Sequence, residues 1–385
     1  MSLLPRRFLS TASATYHVRP QPSKAHHHGL IPSSSFPKGF VVGGIYSGIK
    51  KDSSALDLSV ILSTSPRDTS AAACFTRNAF KAAPVVVSDE ILRRNGGYAR
   101  AVIANSGCAN AVTGKKGLAD AWTMVRETDK LLSKKAQIFE NETLVLSTGV
   151  IGVNLPINKI VEGIRSFAPS ATTGSSTLGS DFLAWERTAK AFMTTDTFPK
   201  LRSRVFSIGG VEYRMAGVDK GAGMIHPDMG PASTSFDSAP RPLHATLLGC
   251  IVTDAAVSPR SLQSALTYAV DRSFNSISVD GDMSTNDSVY VLANGAALPY
   301  EGEIIDEKND RAAYEIFREE LTLFAQDLAK LVVRDGEGAT KFVTVTVKVG
   351  FNQFNPKRAL TRLRRALRRI GMRTTLRPAS PLLHW

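Results

Sequence analysis

Cysteine is scarce in this chain of 385 residues: only Cys74, Cys108 and Cys250 occur, and no two form a Cys-x-x-Cys pair. That excludes a disulfide framework and a cysteine zinc site, and buried free thiols in a reducing compartment fit best. Long apolar runs are missing too. None reaches the ~18 to 20 residues of a spanning helix, because Ser, Asp or Gly interrupts each candidate, so no membrane span is expected. Charged residues are few, 21% against 43% hydrophobic, which leaves ample apolar material for a sizeable core.

Acidic residues are absent from both ends. Residues 1–28 carry Arg6, Arg7, Arg19 and Lys24 and no acid; residues 351–385 carry nine Lys and Arg and no acid. These ends hold 13 of the 47 basic residues, so the 34 that remain match the 34 acidic ones and the body is formally neutral. The net charge of +13 therefore does not describe a basic nucleic-acid face, and each end needs its own explanation. The first stretch, rich in Arg, Ser and Ala with interleaved apolar residues, has the composition of a mitochondrial transit peptide. His26, His27 and His28 lack an acid or cysteine partner and read as linker.

Periodicity predicts a mixed α/β body. Residues 56–65 alternate like a strand; Val102 and Ile103 end a buried strand, with Asn105, Ser106, Gly107 and Asn110 as a polar turn at its exit. Helices are expected over 117–132, with Ala119, Trp122 and Val125 inward, and over 155–166. A third starts at Pro259 with Ser258 as N-cap, and a fourth covers 309–331 with Tyr314, Phe317, Leu321, Phe324 and Leu328 in the core. Gly209-Gly210 marks a hairpin turn. Another strand is expected after Gly338.

Three stretches could carry chemistry. Lys220-Gly-Ala-Gly-Met-Ile-His-Pro227, then a Pro/Ser-rich spacer, then His244-Ala-Thr-Leu-Leu-Gly249 sets glycines beside a lysine and leaves Thr246 alone at a strand start; a glycine turn into a buried strand explains these residues as well. At Ser147-Thr-Gly149 a hydroxyl and an unhindered amide can point into one cavity, as an oxyanion hole requires, though an ordinary strand exit looks the same. Gly336-Glu-Gly338 is not a phosphate loop, since the Gly-x4-Gly-Lys-Ser/Thr spacing is missing. The acidic run 276–289 fails as a calcium loop, with Thr285 where Gly is needed and Val291 where Glu belongs; a structural or site-lining role without metal is expected.

Together these runs, with Thr194-Thr-Asp-Thr197 and Ser147-Thr-Gly-Val-Ile-Gly152, resemble the ornithine acetyltransferase family, the bifunctional glutamate N-acetyltransferases, of the fungal mitochondrial type. The resemblance is nearly continuous from about 39 to 349. It implies an α/β (α+β) fold, an αββα sandwich of the N-terminal-nucleophile-like kind, here with the C-terminal subdomain missing. It implies a self-cut between Ala245 and Thr246, giving an alpha chain of 29–245 and an incomplete beta chain of 246–350, after a 1–28 transit peptide and before a non-family basic tail of 351–385. Thr246 is then the nucleophile, Thr148 and Gly149 the oxyanion hole, and Thr194 (in preference to Thr195), Lys220, Thr246 and Glu337 bind substrate.

The implied reaction moves acetyl from N-acetylornithine to glutamate in arginine biosynthesis, with acetyl-CoA as an alternative donor and no metal or prosthetic group. The implied assembly is a dimer of heterodimers in the mitochondrial matrix, without nucleic-acid or membrane partners. Two other readings stand beside it: an aminopeptidase-like hydrolase with an N-terminal nucleophile, and an inactive truncated homologue. The 351–385 tail reads either as a basic amphipathic helix, with Leu360, Leu363, Leu367 and Ile370 on one face, or as the product of a misread exon boundary; the second is preferred.

Overall fold

The computed structural model describes residues 23–133, 139–168, 177–231, 246–299 and 302–345. The transit-peptide expectation for 1–22, most of the spacer, the scissile residue Ala245 and the 351–385 tail lie outside them.

Two sheets make the centre. In the smaller, β1 (Phe40–Ile45), β2 (Leu58–Ser63), β4 (Ala101–Cys108) and β5 (Thr143–Val150) lie in that order, antiparallel except for the parallel β4/β5 pair. In the larger the order is β6 (Lys200–Ile208), β7 (Val211–Lys220), β9 (Leu248–Thr253), β10 (Ser288–Ala293), β3 (Ser70–Thr76) and β8 (Met229–Pro231). There only β9 and β10 run parallel. β2, β3, β9 and β10 are buried along their whole length, because both faces of each are covered.

The period of two in the larger sheet sorts its side chains between two cores. Ala71, Ala73, Ala216, Val218, Cys250, Val252, Tyr290 and Leu292 join the smaller sheet's core. Ala72, Cys74, Met215, Ile251, Val289 and Val291 join a second core beneath α5 (Pro259–Asp271) and α6 (Arg311–Arg334). α2 (Gly114–Asp129) and α3 (Ile157–Ser166) pack on the smaller sheet. The layers are thus αββα, as expected from the resemblance. α4 (Phe182–Phe192) touches β1 and β2 of one sheet and β6 and β7 of the other. α1 (Ala83–Arg94) guards the open edge of β5, where Ser88 Oγ accepts from Val145 N at 2.8 Å and donates to Val145 O at 3.1 Å. Tyr290 Oη on the larger sheet donates to the same carbonyl at 3.0 Å, pinning the two sheets together. Among the described residues no helix is long and apolar enough to cross a membrane.

The hairpin joins β6 to β7 through Gly209 and Gly210, both at positive φ (58° and 81°), as the tight turn demands. Asp310 caps α6, its side chain accepting from Ala313 N at 3.0 Å, and the helix buries all five apolar positions expected of it.

Several local expectations are corrected. β4 does not end at Ile103 but continues to Cys108, because Asn105 and Ser106 satisfy their polar groups inside the protein: Asn105 Nδ2 donates to Cys108 O at 2.8 Å, and Ser106 Oγ to Ala191 O at 2.6 Å. α2 turns its Gly117, Ala121, Met124, Val125 and Thr128 inward and leaves Ala119 exposed. Among the described residues Ser258 caps no backbone amide; its hydroxyl donates to Asp306 Oδ2 at 2.5 Å and lies 2.8 Å from Ser261 Oγ. Residues 339–345 form no strand, and Phe342, Val343 and Val345 are exposed.

The boundary expected at residue 28 falls within a segment that packs on the body. Lys24 Nζ donates to Gly336 O at 3.2 Å, Arg202 to His27 O at 2.9 Å, and His28 Nε2 lies 3.1 Å from Glu186 Oε1.

Candidate active site

At one end of the larger sheet β7 finishes while β9 and β10 begin, and the C-terminal end of β5 arrives there from the smaller sheet. Lys220 is the last residue of β7, paired with Leu248. Its ammonium is the hub: Nζ donates to Thr148 Oγ1 at 3.2 Å and to Thr246 O at 3.1 Å. Residues separated by up to 98 positions, Thr148 to Thr246, are thereby tied to one atom. All three are buried: Thr246 retains only 5% of its surface, Thr148 2% and Lys220 4%. Burial lowers the Lys220 ammonium from its ordinary value, against the pull of the Asp196 carboxylate, with Lys200 adding repulsion.

Gly149 follows Thr148 at φ +125°, opposite Gly107 in the parallel β4/β5 pair. A Cβ there would lie 2.3 Å from the Gly107 carbonyl carbon, so only glycine fits.

The other candidate residues are held by a buried ionic cluster. Asp196 accepts from Thr194 N at 2.9 Å and from Gly221 N at 2.8 Å, and pairs with Lys200. Lys200 Nζ also donates to Asp335 Oδ2 at 2.6 Å, and Asp335 in turn accepts from Thr197 N at 2.9 Å. Glu337 sits two residues beyond Asp335; its amide donates to Ala222 O at 2.7 Å, and its carboxylate lies against Gly223, where a Cβ would approach Oε1 to 2.7 Å. One lysine therefore joins the Thr194 loop, the turn after Lys220 and the Glu337 loop. Burial alone would raise Asp196, but Lys200 and Lys220 hold it well below the usual carboxylate range. Burial likewise opposes the Lys200 charge, and Asp196 and Asp335 more than restore it. Asp219, fully buried beside them and without a hydrogen-bond partner for either oxygen among the described residues, is pushed well above the carboxylate range by burial.

The run 276–289 lines the same centre. Asp280 accepts from Ile225 N at 2.8 Å and from Met224 N, bracing the turn after Gly223, and Val279 N donates to Ile225 O at 2.7 Å. Asp287 accepts from Leu247 N at 2.7 Å and from Ser284 N at 3.1 Å, yet burial pushes its carboxyl up to about 7. Thr246 Oγ1 lies 2.9 Å from Ser284 Oγ. Among the described residues no group of His, Cys, Asp or Glu is gathered to hold a metal ion.

All the described candidates, Thr148, Gly149, Thr194, Lys220, Thr246 and Glu337, therefore gather at this centre, directly or through Asp196 and its partners. Ala245 lies outside the described residues. The expected site-lining role of 276–289 takes in Ser284 and Asp287, though without a specific role for either, while sequence reasoning gave no role to Asp196, Lys200 and Asp335. Asp196 stands inside the Thr194-Thr-Asp-Thr197 motif and Asp335 directly before Gly336-Glu-Gly338, so nearness to those motifs was the available signal; Lys200 offered none.

A profile described as the ArgJ family matches residues 41–362, most of the chain. The chain belongs to the ArgJ family. This ArgJ-family chain is 73% identical over 343 residues to the arginine biosynthesis bifunctional protein ArgJ, mitochondrial, of Coprinopsis cinerea, covering 89% of this chain and 70% of that one. The protein of the same name from Laccaria bicolor is 69% identical over 347 residues, 90% of this chain and 71% of its own. Among solved structures, an ornithine acetyltransferase from Mycobacterium tuberculosis, complexed with ornithine, is 31% identical, with 52% of this chain and 99% of that chain covered and a TM-score of 0.40.

Proposed function

We propose that this ArgJ-family chain is the acetyltransferase of arginine biosynthesis that cuts itself before Thr246 and moves acetyl from N-acetylornithine to glutamate. One observation carries the reading: a single buried ammonium, Lys220 Nζ, spans Thr148 Oγ1 and the Thr246 carbonyl, so nucleophile and oxyanion donor share one centre.

In this mechanism Thr246 Oγ attacks the Ala245 carbonyl, and water opens the resulting ester to free the Thr246 amine. That amine, with an ordinary pKa of about 7.7 to 8.0, is partly neutral near neutrality and serves as base for its own hydroxyl. Lys220 beside it disfavours a second positive charge. Oγ then attacks the acetyl carbonyl of the donor; Thr148 and Gly149 stabilise the oxyanion; the proton passes through the amine to the departing ornithine nitrogen. Glutamate's amine attacks the acetyl-threonine ester, and Oγ leaves with its proton restored. Thr194, Lys220 and Glu337 hold the amino-acid portions, with the Asp196–Lys200–Asp335 cluster fixing their loops.

The reading calls for no metal or prosthetic group and takes acetyl-CoA as a second donor. The cut chains assemble as a dimer of heterodimers. The matrix is the compartment proposed, supported by the acid-free N-terminal stretch and by relatives named as mitochondrial. Intact-mass spectrometry of the denatured protein tests the cut: two fragments parting at Ala245–Thr246 support it. Transfer of labelled acetyl from N-acetylornithine to glutamate by the same preparation tests the reaction. A folded, uncut chain without exchange would refute both.

A further inference from the structure

One hydroxyl at the centre has no part in the chemistry above. Ser284, on the loop entering β10, is fully buried with its Oγ 2.9 Å from Thr246 Oγ1. The distance between the two oxygens is set by backbone restraints from several sides. Asp287 grips Leu247 N with one carboxylate oxygen and Ser284 N with the other, so one side chain spaces the residue after Thr246 from Ser284 itself. Thr76 Oγ1 donates to Ser284 O at 2.7 Å. Asn286 Nδ2 donates to Ser147 O at 2.9 Å and Ala109 O at 2.7 Å, tying this loop to the strand that carries Thr148 and Gly149.

The proton arrangement follows from one more contact. Asn286 N donates to Ser284 Oγ at 2.9 Å, so the serine oxygen already accepts an amide proton. An oxygen that accepts in this way is a stronger donor, and Thr246 Oγ1, 2.9 Å away, stands in reach as acceptor for its proton.

We propose that Ser284 is a catalytic residue of acyl transfer: its hydroxyl donates to Thr246 Oγ, orienting that oxygen for attack and stabilising it when it leaves. This rests on Thr246 being the nucleophile. In the first half-reaction the Oγ–acyl bond forms, the acyl carbon–nitrogen bond of the donor breaks, and the Oγ proton travels through the Thr246 amine to the departing nitrogen. In the second the acceptor amine forms the new carbon–nitrogen bond, the Oγ–acyl bond breaks, and the proton returns to Oγ. Ser284 keeps its own proton throughout, and its hydrogen bond is strongest while Oγ carries developing negative charge.

The test uses the full chain as wild type, Ser284→Ala and Ser284→Thr, comparing kcat and KM for N-acetylornithine with glutamate, thermal unfolding, and the site of acetyl attachment by mass. Losing a hydrogen bond to a charged oxygen should lower kcat in Ser284→Ala by roughly tenfold to a hundredfold, with KM little changed, and Ser284→Thr should recover most of it. A kcat equal to wild type overturns the proposal. So does an effect confined to KM, or a Thr variant that folds as stably as wild type yet is no better than Ala. Should the Ala chain fail to fold, Ser284→Cys keeps the volume with a weaker donor, and an undiminished kcat there overturns it too. Acetyl found on Thr246 in an unimpaired Ser284→Ala chain defeats this proposal alone; acetyl on another residue of the wild type defeats the nucleophile reading and this proposal together.

Discussion

The two sides of the site are built in opposite ways. On the smaller sheet Thr148 and Gly149 are placed, apart from the Lys220 bond to Thr148, by backbone and neutral groups: a parallel strand pair, an amide from Asn286 and a Ser147 Oγ to Asn105 Oδ1 bond of 2.6 Å. On the larger sheet Lys220, Thr194 and Glu337 are placed by buried charge, with Lys200 clamped between Asp196 and Asp335. Steric shape governs one side and charge balance the other. The first should be sensitive to a single methyl group and indifferent to pH, the second the reverse.

The largest effect is expected where the two sides meet. Thr246→Ala should abolish both the self-cut and acetyl transfer while leaving the thermal unfolding temperature close to wild type, read by intact mass and calorimetry. Next, Lys200→Met leaves Asp196 and Asp335 buried without their cation and should cost about 3–5 kcal/mol in denaturant unfolding; a loss under about 1 kcal/mol would mean the cluster reorganises cheaply and does not hold the loops. Gly149→Ala attacks the other side. It sets a Cβ against the Gly107 backbone at a φ that L residues rarely adopt, and should cost about 1–3 kcal/mol with a loss of kcat, both unaltered between acid and neutral pH.

At Asp287 the expected effect is a slope with pH. Its carboxyl titrates near 7 in the fold against 3.8 for an ordinary aspartate, so the folded state holds the proton more tightly. The stability associated with that proton is full below 3.8, falls as pH rises through the window and is gone above about 7. Asp287→Asn removes the titration, so the unfolding temperature of the variant should lose this downward slope between pH 4 and 7. Parallel slopes in both proteins would put the titration elsewhere.

Much of this could be read from the sequence. The glycine hairpin and the apolar face of α6 were legible because local rules set them: positive φ at Gly209 and Gly210, and a helical period from Tyr314 to Leu328. The site residues were legible through the resemblance of short motifs. Where local rules met long-range satisfaction they failed. Asn105 and Ser106 read as a turn because polar residues favour turns, but partners at Cys108 and Ala191 let them lie inside a strand. Residues 339–345 alternate like a strand, yet among the described residues no neighbouring strand pairs with them.

What the sequence determined by itself was part of the element set, the neutral body between two basic ends, and the family of short motifs around Lys220 and Thr246, since each depends on residues close together along the chain. Only the tertiary structure decided that Lys200 serves Asp196 and Asp335 at once, and that Ser284 faces Thr246. Those relations join groups 135 and 38 positions apart for Lys200–Asp335 and Thr246–Ser284. Their strength comes from burial, which raises the cost of an unpaired charge or hydroxyl, and burial exists only once the two sheets have closed on each other.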